Sequence, residues 1–163
     1  MKIYVASSWR NPYQPAVVEA LREWGHDVYD FKNPPNRTGF SWSSIDPNWM
    51  AWTPSEWRKA LRHPLAIEGF RSDFDAIASA DAGVFVAPAG PSACFEIGWL
   101  AGKGARAFYL VPDGFPKAPG IYPENRSRLD NLEPDLMVGL FSGLLIGRDE
   151  LHAVFHLFGS MGT

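Results

Sequence analysis

Two carboxylates, Glu96 and Asp73, stand out by their surroundings. Glu96 lies in PAGPSACFEIGWLAGKG (residues 88–104), where an apolar run ends, a Gly/Pro/Ser turn follows and a helix opens. A carboxylate in a first helical turn is favoured by the positive end of the helix dipole. Glu96 is therefore expected to stay ionised and to be available as a nucleophile. Its bland use is simply to complement that dipole. Asp73 lies in LAIEGFRSDFDAIASAD (residues 65–81), whose pattern predicts a helix. At about 100° per residue, Phe70, Phe74 and Ile77 share one face, and Asp73 falls about 60° from Phe70 on the same side. Asp75 projects the other way. A carboxylate at the edge of an apolar stripe is costly unless it is paired or used, whereas Asp75 reads as an ordinary solvated residue. Asp81, at the helix-to-strand junction, reads as turn chemistry. Two carboxylates reaching one cleft suit a retaining glycosidic displacement, one as nucleophile and the other handling protons.

The elements that must carry these groups follow from the apolar pattern. Ala82 to Ala87 (AGVFVA) is a short, wholly apolar run, as in a strand buried on both faces of a parallel sheet. Its carboxyl end is where open α/β folds place ligands. Lys2 to Ser7 (KIYVAS) is a first strand expected near the sheet centre, with Ser7, Ser8, Trp9, Arg10 and Asn11 in the turn after it. From Pro15, the residues Val17, Val18, Leu21 and Trp24 recur at helical spacing until Gly25 ends the run. Asp27 to Phe31 completes a βαβ unit. Later strands are expected at Arg106 to Pro112 and around Gly143 to Ile146, the last after a short helix. A closing helix over Arg148 to Phe158 would bury Leu151, Val154, Phe155 and Phe158. The connection from Asp113 to Arg128 is polar and proline-rich, and residues 159–163 read as a frayed tail. The sum is a single α/β domain spanning 1–163, a doubly wound, flavodoxin-like Rossmann variant with five parallel strands.

Residues 32–64 interrupt this rhythm with prolines, Gly39, a short helix near Pro54 to Leu61 and a concentration of tryptophan. Six of the seven tryptophans precede residue 60, and five of them, Trp9, Trp42, Trp49, Trp52 and Trp57, fall in this insertion or in the turn after the first strand. That aromatic load argues against disorder. It predicts a folded, lid-like insertion after the second strand that offers ring faces to a flat ligand; the competing use is packing against the sheet edge or a partner subunit.

Composition narrows the classes. With 46% hydrophobic residues in 163, the chain can bury a full core. A net charge of −3 gives no broad attraction to a nucleic-acid polymer. The lone Cys94 excludes an intrachain disulfide and fits a reducing cytoplasm. No apolar run is long enough for a membrane span, so the expectation is a soluble, cytoplasmic protein. No GxGxxG or GxxxxGK[ST] occurs, and His152 and His156, four apart on the last helix, have no evident third ligand.

The stretch RSDFDAIASADAGVFVAPAGPSACFEIGWLAGKG resembles the nucleoside 2-deoxyribosyltransferase-like superfamily. There, an Asp eight residues before an Asp at a strand start is followed by a turn and a helix carrying xEhG. Asp73 and Asp81 match that spacing, and Glu96 with Gly98 matches the nucleophile motif. KIYVASSWRNP is similar to the family's first strand and nucleoside-binding loop, and FEIGWLAGKG is similar to cytidine monophosphate N-glycosidases. The resemblance covers residues 1 to about 111, weakly across the insertion. It implies attack by Glu96 on an anomeric carbon, giving a glycosyl-enzyme ester that water (hydrolase) or a second base (transferase) resolves. Asp73 would protonate the departing base or organise the site, with no metal or redox cofactor. The implied partner is a small nucleoside or nucleoside 5′-monophosphate.

One departure matters. The transferases usually carry another acidic residue about six before the nucleophile, and here that position is Gly90. Ser92, near the helix start, can hold a phosphate through its hydroxyl and adjacent N–H groups, or can serve as a plain N-cap. Arg10 and Arg71 are candidate phosphate partners or surface charges. These features tilt the expectation from base exchange towards hydrolysis of a nucleoside monophosphate, with Ser7, Ser8, Trp9, Arg10, Trp42, Arg71, Gly90 and Ser92 as candidate substrate-binding residues. Ala93, Ile97, Leu100 and Ala101 make a buried stripe, while Gly98 and Gly102 open a smooth patch suited to a homodimer or larger assembly. The alternatives are a nucleotide-sensing module that binds without turnover and a protein-interaction domain built on the Trp-rich insertion.

Overall fold

The structure, a computed structural model, describes residues 1–36, 38–115 and 143–159, with side chains of the last helix described as far as His156. Five strands, β1 (Lys2–Ala6), β2 (Asp27–Tyr29), β3 (Ala82–Val86), β4 (Arg106–Val111) and β5 (Gly143–Ile146), form one sheet in the order β2-β1-β3-β4-β5. All four pairings are parallel. This is the doubly wound α/β architecture expected from the strand pattern. The helices are α1 (Gln14–Glu23), α2 (Pro54–Ala60), α3 (Pro64–Ser79), α4 (Pro91–Gly102) and α5 (Gly147–Gly159). The short helix expected before β5, most of the connection after β4, the side chain of Phe158 and the tail lie outside the described residues.

Side-chain alternation along the strands divides the core in two. Ile3 and Val5 of β1 point to one face, where Val17, Val18 and Leu21 of α1 and Leu151 and Phe155 of α5 cover them. Tyr4 and Ala6 point to the other, where Ile77 of α3 and Ala93, Ile97 and Leu100 of α4 pack. β3 is buried along its whole length, as its wholly apolar sequence requires. At Gly83 the helix comes unusually close: a Cβ there would stand 2.5 Å from Leu100 Cδ1 and 2.9 Å from Ile97 Cδ1. The missing side chain lets α4 settle onto β3. Lys103 then ties α4 to α3, its Nζ donating to the carbonyls of Ile77, Ala78 and Ala80 at 3.0, 2.9 and 2.8 Å.

One expectation changes. Phe70 and Phe74 do not join the core with Ile77. They are 67% and 39% exposed, stacked on each other at 5.6 Å, with Phe74 against Trp99. The reason is that α3 packs inward through its small residues, Ala66 and Gly69, and its aromatic rings face outward from that contact. On α5, His152 and His156 stack on each other and His152 meets Trp24, a packing role.

The insertion is folded. α2 starts at Thr53 with a full capping box, in which Thr53 and Glu56 satisfy each other's backbone N–H groups. Trp42, Trp49, Trp52 and Trp57 pack edge to face, with ring centroids 4.8–5.9 Å apart. Trp52 Nε1 donates to Asp46 at 2.7 Å. The unit therefore carries a small aromatic core of its own. It seats on the domain at two glycines. A Cβ on Gly69 would lie 2.8 Å from Phe40 Cβ, and one on Gly39 would lie 2.4 Å from the Phe31 carbonyl oxygen and 2.9 Å from Trp9. Because that neighbour is backbone, Gly39→Ala is expected to cost about 1–3 kcal/mol and lower Tm by about 3–10 °C. Thermal unfolding of the variant beside the wild type checks this, and an unchanged Tm would show the insertion to be loosely seated.

Candidate active site

The segments after β1 and β2, the insertion, α3 and the start of α4 surround a cleft of about 630 Å3. Glu96 comes to it from α4 and Asp73 from α3, so separate elements bring the two carboxylates to one hollow. Ser7, Trp9, Trp42, Arg71 and Ser92 line the same cleft. A second cleft of about 580 Å3 adjoins it, sharing Ser7, Trp9, Trp42 and Ser92 and adding Ser8, Arg10 and Gly90. Each residue singled out as a site candidate thus borders one of two connected hollows.

The loops are fixed by hydrogen bonds that the sequence did not advertise. Ser7 Oγ donates to the Val86 carbonyl at 3.0 Å, and Asn11 Nδ2 donates to the carbonyls of Val86 and Pro88, both at 2.9 Å. These contacts hold the β1–α1 loop against the β3–α4 turn. Asn11 is buried, as is Asp30, which accepts from Gln14, Lys32 and Asn33 and anchors the chain where it leaves β2.

The electrostatics of the carboxylates differ from expectation. Glu96 lies in the second turn of α4, and the first turn holds no acidic residue. Burial and the neighbouring Asp73 charge push its pKa from 4.5 up to about 7, although a hydrogen bond from Tyr4 favours the ionised form. Desolvation thus outweighs the dipole, and Glu96 is not the freely ionised acid that a first-turn position implies. Tyr4 is 1% exposed, and its own pKa is pushed far up by burial and by the charges of Glu96 and Asp73. Tyr29 stacks on Tyr4 at 5.7 Å and donates to Asp73 Oδ1 at 2.8 Å, while sharing a 2.7 Å hydrogen bond with Ser72. Two stacked tyrosines therefore each hold one carboxylate. The available signal for Tyr4 was its place in β1: a phenol on the buried face of a central strand needs a polar partner.

Ser92 is not the N-cap. Gly90 occupies that position with Pro91 at the first helical residue, and no side chain caps the helix. The start of α4 opens onto the cleft that Arg10 also borders. A further hollow of about 650 Å3, lined by Phe70, Phe74, Phe95, Trp99 and Cys94, lies beside Glu96. Among the described residues, no group of three or more His, Cys, Asp or Glu is disposed to hold a metal ion, and no helix is long and apolar enough to cross a membrane.

With this geometry in hand, the fold can be compared with known proteins. The chain superposes on a 2-deoxyribosyltransferase of Bacillus psychrosaccharolyticus with a TM-score of 0.52 at 18% identity, covering 94% of this chain and 90% of that one. It also aligns with a CMP N-glycosidase of Clostridium botulinum with a TM-score of 0.43 at 16% identity, over 97% and 99% of the two chains. The first likeness shows that the two proteins share a fold; the second adds nothing to that. No protein-family model matches the chain, and no curated protein gives a significant sequence match.

The raised pKa of Glu96 carries a stability consequence. Below about pH 4.5 the carboxyl is protonated in both folded and unfolded chains; as pH rises towards 7, only the unfolded chain releases its proton, so the folded state loses ground. Glu96→Gln, neutral throughout, is expected to be more stable than wild type at pH 8 by up to roughly 3 kcal/mol and near equal at pH 4.5. Denaturant melts at the two pH values check this. A stability difference that does not grow with pH would refute the placement of Glu96 in a half-buried, like-charged site.

Proposed function

We propose that this protein cleaves the N-glycosidic bond of a nucleoside 5′-monophosphate, with Glu96 as nucleophile and hydrolysis as the outcome. The observation that carries this reading is the pair of carboxylates from α3 and α4 on one cleft, each held by a buried or half-buried tyrosine. In the proposed reaction, the ionised Glu96 attacks the anomeric carbon, a C–O bond forms and the C–N bond breaks. Its electron pair leaves with the base, which takes a proton from Asp73 or from a water that Asp73 orients. Water then adds to the anomeric carbon, its proton passing to Asp73 or to solvent, and Glu96 departs as carboxylate. Tyr4 holds the reacting carboxylate, and Tyr29 holds Asp73.

The second cleft favours a phosphorylated substrate. The first turn of α4 has no side-chain cap, Gly90 stands where an acid would repel an anion, and Arg10 and Ser92 border the same space. The exposed face of α4 supports assembly. Phe95 is 81% and Trp99 41% exposed beside Gly98 and Gly102, at which an added Cβ would meet nothing within 4 Å. An apolar face of this kind belongs against a second copy of the chain. The wider setting of the reading is a homo-oligomer that acts on a small molecule without a metal or redox cofactor.

Incubation with a panel of nucleosides and monophosphates, with and without an acceptor base, tests the reaction through chromatography of the released base. Release without acceptor from monophosphates is expected; release only with an acceptor would make the protein a transferase, and release from none would leave a binding module. Glu96→Gln is expected to lower the rate at least about 1,000-fold and Asp73→Asn about 100-fold or more. Because the nucleophile must be ionised, kcat/KM should rise with pH through an apparent pKa near 7. A rate indifferent to the loss of Glu96 overturns the mechanism. Phe95→Glu should convert the assembly to monomers in sedimentation velocity, and an assembly unchanged by it would assign the interface elsewhere.

A further inference from the structure

We infer that the base is a bicyclic, purine-class ring recognised by its faces and not by its polar edge, a reading of substrate class that rests on the glycosidic proposal above. Six aromatic side chains from three separate segments line the cleft: Trp9 after β1, Phe31, Phe40 and Trp42 after β2, and Phe70 and Phe74 on α3. These rings are held before any ligand arrives. Phe40 is seated on Gly69 and Trp9 on Gly39, Trp9 meets the edge of Phe31, and Trp42 is packed by Phe40, Trp52 and Trp57. A pre-positioned aromatic wall binds flat rings at low ordering cost, and the stacking gain grows with the area of the ring face.

The polar inventory of the same cleft offers little for reading an edge. Discrimination between bases by hydrogen bonds uses matched donor and acceptor pairs such as a side-chain amide. No Asn or Gln lines the cleft among the described residues. Ser7 donates its proton to Val86, Asp73 and Glu96 are held by tyrosines, and Ser92 stands at the start of α4. Arg71 remains, and a guanidinium supplies donors only. Beyond the two carboxylates, which the proposed chemistry commits to the sugar and the leaving nitrogen, the lining offers hydroxyls and no amide, so no matched donor–acceptor pair reads the edge of a cytosine or an adenine and neither edge is strongly selected or rejected. What distinguishes substrates here is ring area. The cleft of about 630 Å3 is within the size range of small-molecule pockets.

The test separates binding from turnover. Isothermal titration calorimetry of Glu96→Gln with AMP, IMP, CMP and UMP is expected to give purine nucleotides at least about 10-fold tighter than pyrimidine nucleotides, with AMP and IMP within about 3-fold. Trp42→Ala should weaken AMP at least about 5-fold and UMP less, shrinking the preference. Because Trp42 also packs the insertion, Trp9→Ala, at a half-exposed position, is the second variant and should act the same way. Purine preference in calorimetry without base release from wild type would support face recognition and overturn the glycosidic reading. Equal or tighter binding of pyrimidine nucleotides, AMP and IMP more than about 10-fold apart, or no binding of any nucleotide would overturn the inference, whatever the turnover.

Discussion

Two like charges brought together, half-buried, at one edge of the sheet are the constraint around which this molecule is built. Glu96 and Asp73 come from different helices, and those helices are fixed to each other and to the sheet. α4 is drawn onto β3 by the missing side chain at Gly83, and Lys103 bridges α4 to the end of α3. Left alone, such a pair would relax by protonation or by opening to water. The tyrosines change the balance: Tyr4 offers a hydrogen bond to Glu96 and Tyr29 offers one to Asp73, so each carboxylate keeps one strong partner where burial takes part of its hydration. A group whose proton affinity sits near neutrality is the result, which is the range that the role proposed for Glu96 requires.

The same arrangement explains why the local and the long-range parts of the sequence read so differently. The wholly apolar β3, the helical spacing from Pro15 to Trp24 and the Thr53 cap of α2 are set by neighbours a few residues away, and they were legible. Asp81 was legible for the same reason: it accepts the Lys2 N–H at 2.8 Å at the strand ends, as a junction residue should. The proton affinity of Glu96 was not, because it is raised first by burial and then by Asp73, on another helix, and is opposed by Tyr4, 92 positions earlier. Periodicity also placed Phe70, Phe74 and Ile77 on one stripe without revealing that only Ile77 reaches the core, since an apolar stripe looks the same whether it faces a core or a cleft. At the start of α4, a usable signal was present. Pro91 is suited to the first helical position, which puts the cap on Gly90 and moves Glu96 into the second turn.

The Trp-rich insertion shows how one choice of residue type can serve two ends. About thirty residues without a strand of their own cannot bury much surface, and each polar group they buried would need a partner. Large rings packed edge to face give the most apolar contact per residue, and Trp42, Trp52 and Trp57 use one another in this way. Rings at the rim of that small core have one side left over. Trp42 and Phe40 turn theirs to the cleft, completing a wall begun by Trp9 and Phe31. The residues that let the insertion fold thereby decide that the wall it presents is apolar and rigid. A polar wall would have required a different interior, which is why the structural and the recognition roles of these tryptophans cannot be exchanged one at a time.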